Sequence, residues 1–556
     1  MKRIARLTSL LGILAAVVAG SLTGASSAAV ASPTGLHGFL LFASEAQTST
    51  FHRTPSFAWK PMGGALRYEL QLSTSDSFRA NGILYDDSSL QTPVAAPTIT
   101  LPWITGSPHS LYARVRAFFG RGHVSPWGAD YGFDVVPPAV PTPMPSVPGL
   151  LRWTPVDGAD QYQVWIRALQ GDGTIMNKFE QVNTNVLDER EFYAFHPTQD
   201  WIGIVRWRVR AMRMDILGRG NGLPVATYGP WSPTYLSTNT DPTPGPITLD
   251  GTISDTVSDG TPASPAHALA PAFVWSGNES LQGQQAPFFR VYVFTDSGCI
   301  NRVWASATVA SPAYAPRLNG PLAMPAGNAA QAAQSTFLLD GTEESDVTAD
   351  FESITPSEQA AAATPTTSLG GGKGLSVSGF IGAPTDLWDV NWPSSGYYWT
   401  VIPVAWNTVA STWQDLDLPQ DACAAGRVAR FGISSQPSVM KNSAPFASGL
   451  SASGKLVSAT KTNRFYGQPL VAWAPAPTAS AYEVQWGKKV YPFSARGKEL
   501  TFNTSLILPL KPGTWYYRVR GYDYNLPTGA QEMAWSDPVK IVVARPKFRI
   551  VAAKRR

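Results

Sequence analysis

Three pairs of arginines stand two residues apart: Arg114 and Arg116, Arg208 and Arg210, Arg518 and Arg520. Each pair is followed by a tryptophan, at Trp127, Trp231 and Trp535. On an extended strand, two-residue spacing puts both guanidinium groups on one face. A tryptophan from the neighbouring strand can then lie across them, so the chemistry on offer is an alternating cation–π stack. Such a stack can stiffen a sheet or present a ligand-binding surface, and the stiffening role is the expectation here. The chain has two cysteines, Cys299 and Cys423. In an exported protein an even count favours a disulfide, with two separate buried thiols as the alternative. Two cysteines are too few for a four-ligand structural zinc site.

Other reactive side chains do not converge. The six histidines (His37, His52, His109, His123, His196 and His267) are scattered singly, without the paired spacing of a metal-binding helix, and read as surface or loop residues. "GLSVSG" and "GLSASG" approach a nucleophile elbow but end one residue late. "LGGGKGLS" lacks the spacing of a phosphate-binding loop and does not follow a strand pattern. The acidic stretches Asp340 to Glu352 and Asp250 to Gly260 do not match the ordered twelve-residue calcium loop and read as solvated loops. The expectation is no catalytic residue, no metal, no cofactor and no enzyme activity.

The elements that would position the arginines are written several times. "FAWKPMGGALRYELQLS" places Trp59 and Tyr68 nine apart; "LRWTPVDGADQYQVWI" does the same with Trp153 and Tyr162, and "VAWAPAPTASAYEVQW" with Trp473 and Tyr482. A weaker copy has Trp275 and Phe289 with an insertion between them. A second phrase follows each: "LYARVRAFF", "VRWRVRAM", "YYWTVIPV" and "WYYRVRGY". All alternate with period two, as half-buried strands do. Aligned on Val115, Val209, Val401 and Val519, they put Ala113, Trp207, Trp399 and Tyr517 on the inward face and the arginines on the other. A third mark closes each copy, at Trp127, Trp231, Trp413 and Trp535. Strands with short Gly/Pro/Ala turns, repeated in this order, predict β-sandwiches.

These residues resemble the fibronectin type III family, in its secreted bacterial variety: a strand-B tryptophan, a strand-C aromatic, "RVRA"-like strand-F runs and a tryptophan near strand G. The resemblance covers most of the mature chain and implies an all-β fold of four tandem fibronectin type III or immunoglobulin-like sandwiches. The arginine and tryptophan pattern is similar to the ladder of cytokine-receptor members of the same fold family. The integrin-binding Arg-Gly-Asp does not carry over, because the matching turns read "GRGHV" (Arg121, Gly122, His123) and "GRGNG" (Arg219, Gly220, Asn221). The expected domains are 32–136, 149–240, 241–435 and 436–546, with a Pro-rich linker at 137–148 and a basic tail at 547–556. The third carries a low-complexity insertion at about 316–390, flanked by Cys299 and Cys423. Sandwiches on short Pro-rich spacers suggest an extended rod.

Residues 1–31 read as a signal peptide: basic Lys2, Arg3 and Arg6, a short apolar stretch, and "AVA" at Ala29–Ala31. The apolar stretch is too short to span a bilayer comfortably, and no membrane span is expected elsewhere. Losing those three cations lowers the formal charge from +4 to about +1, which gives no reason to expect nucleic acid as a partner. The expected location is extracellular, with retention at the cell surface as an option. The expected function is protein binding or adhesion through loops, with the partner unnamed. The alternative is a glycan partner stacked on Tyr112, Tyr398, Tyr516, Tyr522 and Tyr524.

Overall fold

A computed structural model describes residues 30–545 apart from 146, 171–174, 183, 190–200, 215–222, 224–225, 239–244, 254–258, 262–263, 268–269, 279, 282–283, 287, 317–394, 408, 410–411, 434–445, 460–463, 477 and 525–530. The signal peptide through residue 29, nearly all of the expected insertion, the Arg219–Asn221 turn and the basic tail therefore lie outside the described residues. The fold is all-β: strands gathered in several sheets, with one short α-helix among the described residues, Pro419–Ala424. No helix among the described residues is long and apolar enough to cross a membrane.

The first region shows the plan. Its strands are β1 (His37–Phe39), β2 (Thr50–Phe51), β3 (Ser56–Ala58), β4 (Arg67–Ser73), β5 (Ile83–Leu90), β6 (Val94–Ala95), β7 (Leu111–Phe118) and β8 (Tyr131–Val135). One sheet runs β1-β3-β6 and the other β2-β8-β7-β4-β5. Strict alternation along β7 buries Leu111, Ala113, Val115 and Ala117 and turns the residues between them outward, the pattern a strand with one covered face must have. Trp59 from one sheet meets Tyr68 from the other edge-on, ring centroids 5.2 Å apart.

That contact explains the repeated phrase. Trp153–Tyr162, Trp275–Phe289 and Trp473–Tyr482 adopt the same edge-on arrangement at 5.6, 5.5 and 5.5 Å. The tyrosine hydroxyl also accepts a hydrogen bond from a backbone N–H in the preceding turn: Met62 to Tyr68, Val156 to Tyr162 and Ala476 to Tyr482. The tryptophan fills the core and the tyrosine pins the turn. Register repeats as well, with Leu70, Val164, Val291 and Val484 opposite Val115, Val209, Val401 and Val519. Each of those eight side chains is completely buried.

Two expectations about connection need correction. Residues 137–148 are not simply a spacer: Met144 donates to Arg152, Thr154 donates to Thr142, and Pro143 bridges Trp153, so part of the stretch lies along the edge of the second region. Proline is tolerated there because an edge position asks for few donors. Nor do the regions form an extended rod. The first touches the last, some four hundred residues away in sequence: Ser56 Oγ meets Ser505 Oγ at 2.6 Å, Thr92 donates to the Gln468 carbonyl and Asn503 to that of Pro97. Phe39, Ala58 and Val94 share an apolar cluster with Leu470 and Ala472. Gly467 makes the approach possible: its φ is +90°, and a Cβ there would sit 2.8 Å from Thr92 Cγ2.

The first region also shares one continuous core cluster with the second. There Arg213 Nε donates to the Leu101 carbonyl at 2.7 Å and the Trp103 N–H donates to Thr227. The second meets the third through Leu150, Val186, Ala272 and Val274, beside a bond from the Ala315 N–H to Asp188.

Candidate functional site

In the first region the outward residues of β4 and β7 face each other as Glu69 with Arg116 and Gln71 with Arg114. Arg116 makes a two-pronged bond to the Glu69 carboxylate at 2.8 and 3.0 Å, and Arg114 donates twice to the Gln71 amide oxygen. Held flat in this way, the guanidinium groups sandwich Trp127 at 4.1 and 4.4 Å from its ring centroid. Phe78 covers Arg114 at 4.1 Å, Phe118 covers Arg116 at 5.4 Å, and Arg67 lies 3.7 Å over Phe118. Cations and aromatic rings alternate through six layers.

The last region builds the same column from Phe493, Arg518, Trp535, Arg520, Tyr522 and Tyr524. Arg520 is bonded to buried Glu483 and Arg518 to Gln485, the counterparts of Glu69 and Gln71. Burial works to raise the Glu483 carboxyl, but bonds from Gln485, Arg520 and Tyr522 outweigh it and hold the group below the usual carboxylate range. Burial lowers Arg114, and it lowers Arg518 with a smaller push from Arg520.

In the second region Arg210 lies 4.4 Å over Trp231 and 3.9 Å over Tyr228, and it donates to Gln163. Arg208 donates to Thr234, and Trp165 takes the place of a glutamine and lies 6.2 Å from Trp231.

The third region covers the same face differently. Cys299 and Cys423 are joined in a disulfide. It clamps the helix Pro419–Ala424 onto Tyr292, Phe294 and Ile402. Trp413, which aligned with the stacking tryptophans, sits edge-on against Phe288 at 4.9 Å. Two histidines depart from the reading of surface singletons: His267 is buried on a strand, bonded to Thr252 at 2.7 Å, and His52 pairs with Asp157 of the second region at 2.7 Å. No group of three or more His, Cys, Asp or Glu able to hold a metal occurs among the described residues.

A cavity of about 350 Å³ lies where the first, second and last regions meet. Its wall includes Arg53 of the first region, Asp157 and Arg213 of the second, and Thr478, Ser480 and Tyr482 of the last. The turn "PVDGAD" closes one side, and Gly158 is required in it: φ is +83°, and a Cβ would stand 2.3 Å from the His52 carbonyl oxygen.

No family model and no curated protein matches the sequence. Solved structures similar to it include two fibronectin type III segments. One is a two-domain fibronectin type III segment from chicken tenascin, 13% identical over 37% of this chain and 99% of that one, with a TM-score of 0.17. The other is the FN1–FN3 domains of chicken CNTN1, 15% identical over 51% of this chain and 88% of that one, with a TM-score of 0.16.

The sequence pattern singled out the stacking arginines, their tryptophans and both cysteines. It gave no sign of Arg53, Thr478 or Ser480, which sit in irregular segments outside any alternating pattern. Arg213 shares the inward parity of Val209 and Ala211 on its strand, and an arginine at a core-facing position was the one available signal.

Proposed function

We propose that this chain is an exported, non-enzymatic protein of bacterial type, built of four fibronectin type III-like modules at 32–136, 149–240, 241–435 and 436–546. It acts at the cell surface or in the medium by binding protein partners or by adhesion. The observation that carries the reading is the arrangement of stiff, repeated sandwiches, locked side to side, which holds their end loops at fixed separations as display surfaces. The stacked arginines support it, since they are committed to intramolecular bonds and brace the sheets rather than receive a ligand. The disulfide suits an oxidising compartment.

One observation favours carbohydrate as the alternative partner: Tyr522 and Tyr524 lie nearly parallel, 5.9 Å apart, at the end of the last stack. Against it, Tyr112, Tyr398 and Tyr516 are half-buried within their sheets rather than spread over an open face. The test is saturable binding of the chain to the surface of its producing cell. Binding abolished by protease treatment of the cells supports the protein-partner reading; binding abolished by glycosidase alone supports the alternative. No binding to cells or to culture-fluid components overturns both.

A further inference from the structure

The three-way cavity has charge and hydroxyl groups that the fold does not use. Arg53 is 7% exposed, yet its Nε and Nη1 have no hydrogen-bond partner, and it forms no ion pair. The acids nearby are engaged: Asp157 with His52 at 2.7 Å, and Asp160 as acceptor from the Met214 N–H. Arg213 is engaged as well, donating to the carbonyls of Leu101 and Gly158. Across from these, on the turn of the last region, Thr478 Oγ1 and Ser480 Oγ are buried without partners. Thr478 is held at a φ of +59°, which a β-branched residue rarely adopts. The unsatisfied set thus comprises one guanidinium and two hydroxyls, all able to donate. Asp157 and Asp160 share the wall and Arg53 acts on Asp157 electrostatically, but its Nε and Nη1 donors stay unbonded. Burying donors without acceptors is unfavourable, and an acceptor-rich anion removes the deficit.

Size narrows the ligand. Small-molecule sites begin at about 300 Å³, several times what an inorganic anion fills. The rest of the wall includes apolar Val156, Met214, Ala476 and Phe502. We propose that this junction is a binding site for a small organic anion, whose carboxylate or phosphate head is held by Arg53, Thr478 and Ser480 while its body rests on the apolar wall. Because three regions supply the wall, such a ligand also ties them together and raises their common melting temperature.

The test is calorimetric titration of the full chain, in buffer free of competing oxyanions, with sodium glucuronate, glycerol phosphate, inorganic phosphate and neutral glucose. Glucuronate or glycerol phosphate is expected to bind saturably and at least tenfold more tightly than glucose; the tighter of the two identifies the head group. Arg53→Gln should weaken that binding at least tenfold, whereas Arg79→Gln, on an exposed residue of the same region, leaves it unchanged. Thr478→Val and Ser480→Ala, which remove one hydroxyl each, should each weaken it about threefold and serve if Arg53→Gln does not fold. The proposal is overturned by any of three results: no saturable binding up to about 10 mM, roughly the weakest affinity a built site would show; unchanged affinity in these variants; or inorganic phosphate binding as tightly as the organic anions.

Discussion

The outer sheet faces of the first and third regions solve one problem by different chemistry. Counting from Leu70 and Val291, which occupy the same register against Val115 and Val401, Phe78 and Cys299 fall at the same position. Both have positive φ, +46° and +55°, and both close the turn with a bond to a carbonyl three residues back. From that shared place Phe78 caps the arginine stack, while Cys299 reaches Cys423 and pins a helix. The positions of Arg114 and Arg116 become Thr400 and Ile402, one bonded to the Arg427 carbonyl and the other packed in the apolar cluster beside the disulfide. A stack needs long amphipathic side chains that cover apolar surface while keeping their charge satisfied. A cross-link needs two sulfurs and an apolar seat for the helix it holds, here Tyr292, Phe294 and Ile402. The backbone tolerates either, so the sandwich fixes where cover is required and leaves open what provides it.

The largest expected difference follows from removing the cross-link. Cys299→Ser with Cys423→Ser opens a loop of 124 residues, which should cost the third region about 4 to 5 kcal/mol in the chain-entropy account. Urea unfolding followed by Trp fluorescence should then show an early transition absent from the parent.

Acid separates the regions next. His267 is buried and its pKa is pushed down to about 4 by loss of solvation, so it stays neutral in the fold when the unfolded chain would take a proton. Its stabilising contribution is therefore present above pH ~6.5 and is lost as pH falls toward 4, up to about 3 kcal/mol at ~1.4 kcal/mol per unit. Glu483 behaves in the same direction at lower pH: a depressed carboxyl stabilises above the ordinary Glu range and ceases to do so as pH falls through its folded value. A pH series of melting curves should show the third region loosening before the last, and His267→Gln should flatten the earlier step.

Trp535→Leu keeps apolar cover but removes the ring between Arg518 and Arg520, and should cost about 2 kcal/mol for two partly buried cation–π contacts. Trp413→Leu, which loses the edge-on contact with Phe288, should cost less. The smallest effect is in the turns. Tyr68→Phe, Tyr162→Phe and Tyr482→Phe each strand one backbone N–H and should cost about 1 kcal/mol. The third region already has Phe289 at that position.

Much of this was legible from residue order. The Trp59–Tyr68 spacing and its copies gave the strand pairs, and the valine alignment gave the inward faces, because period-two burial leaves its mark on sequence. Arg114, Arg116 and Trp127 were identifiable because a stack needs particular residue types at strand spacing. The contact of the first region with the last was not. It rests on Ser56, Thr92, Gln468 and Ser505, small or polar residues whose meeting depends on how whole regions dock. The cavity escaped for the same reason: Arg53, Thr478 and Ser480 acquire a common purpose only after three turns are brought together.

The central claim, that each region's outer face is closed by its own local device, is tested most directly by hydrogen exchange of the full chain with and without a thiol reductant. The account predicts faster exchange confined to strands Phe288–Phe294, Ser395–Asn407 and Ala429–Ile433, with Leu111–Phe118 and Gly513–Tyr522 unchanged. Equal acceleration in all of these strands, or in none, would contradict it.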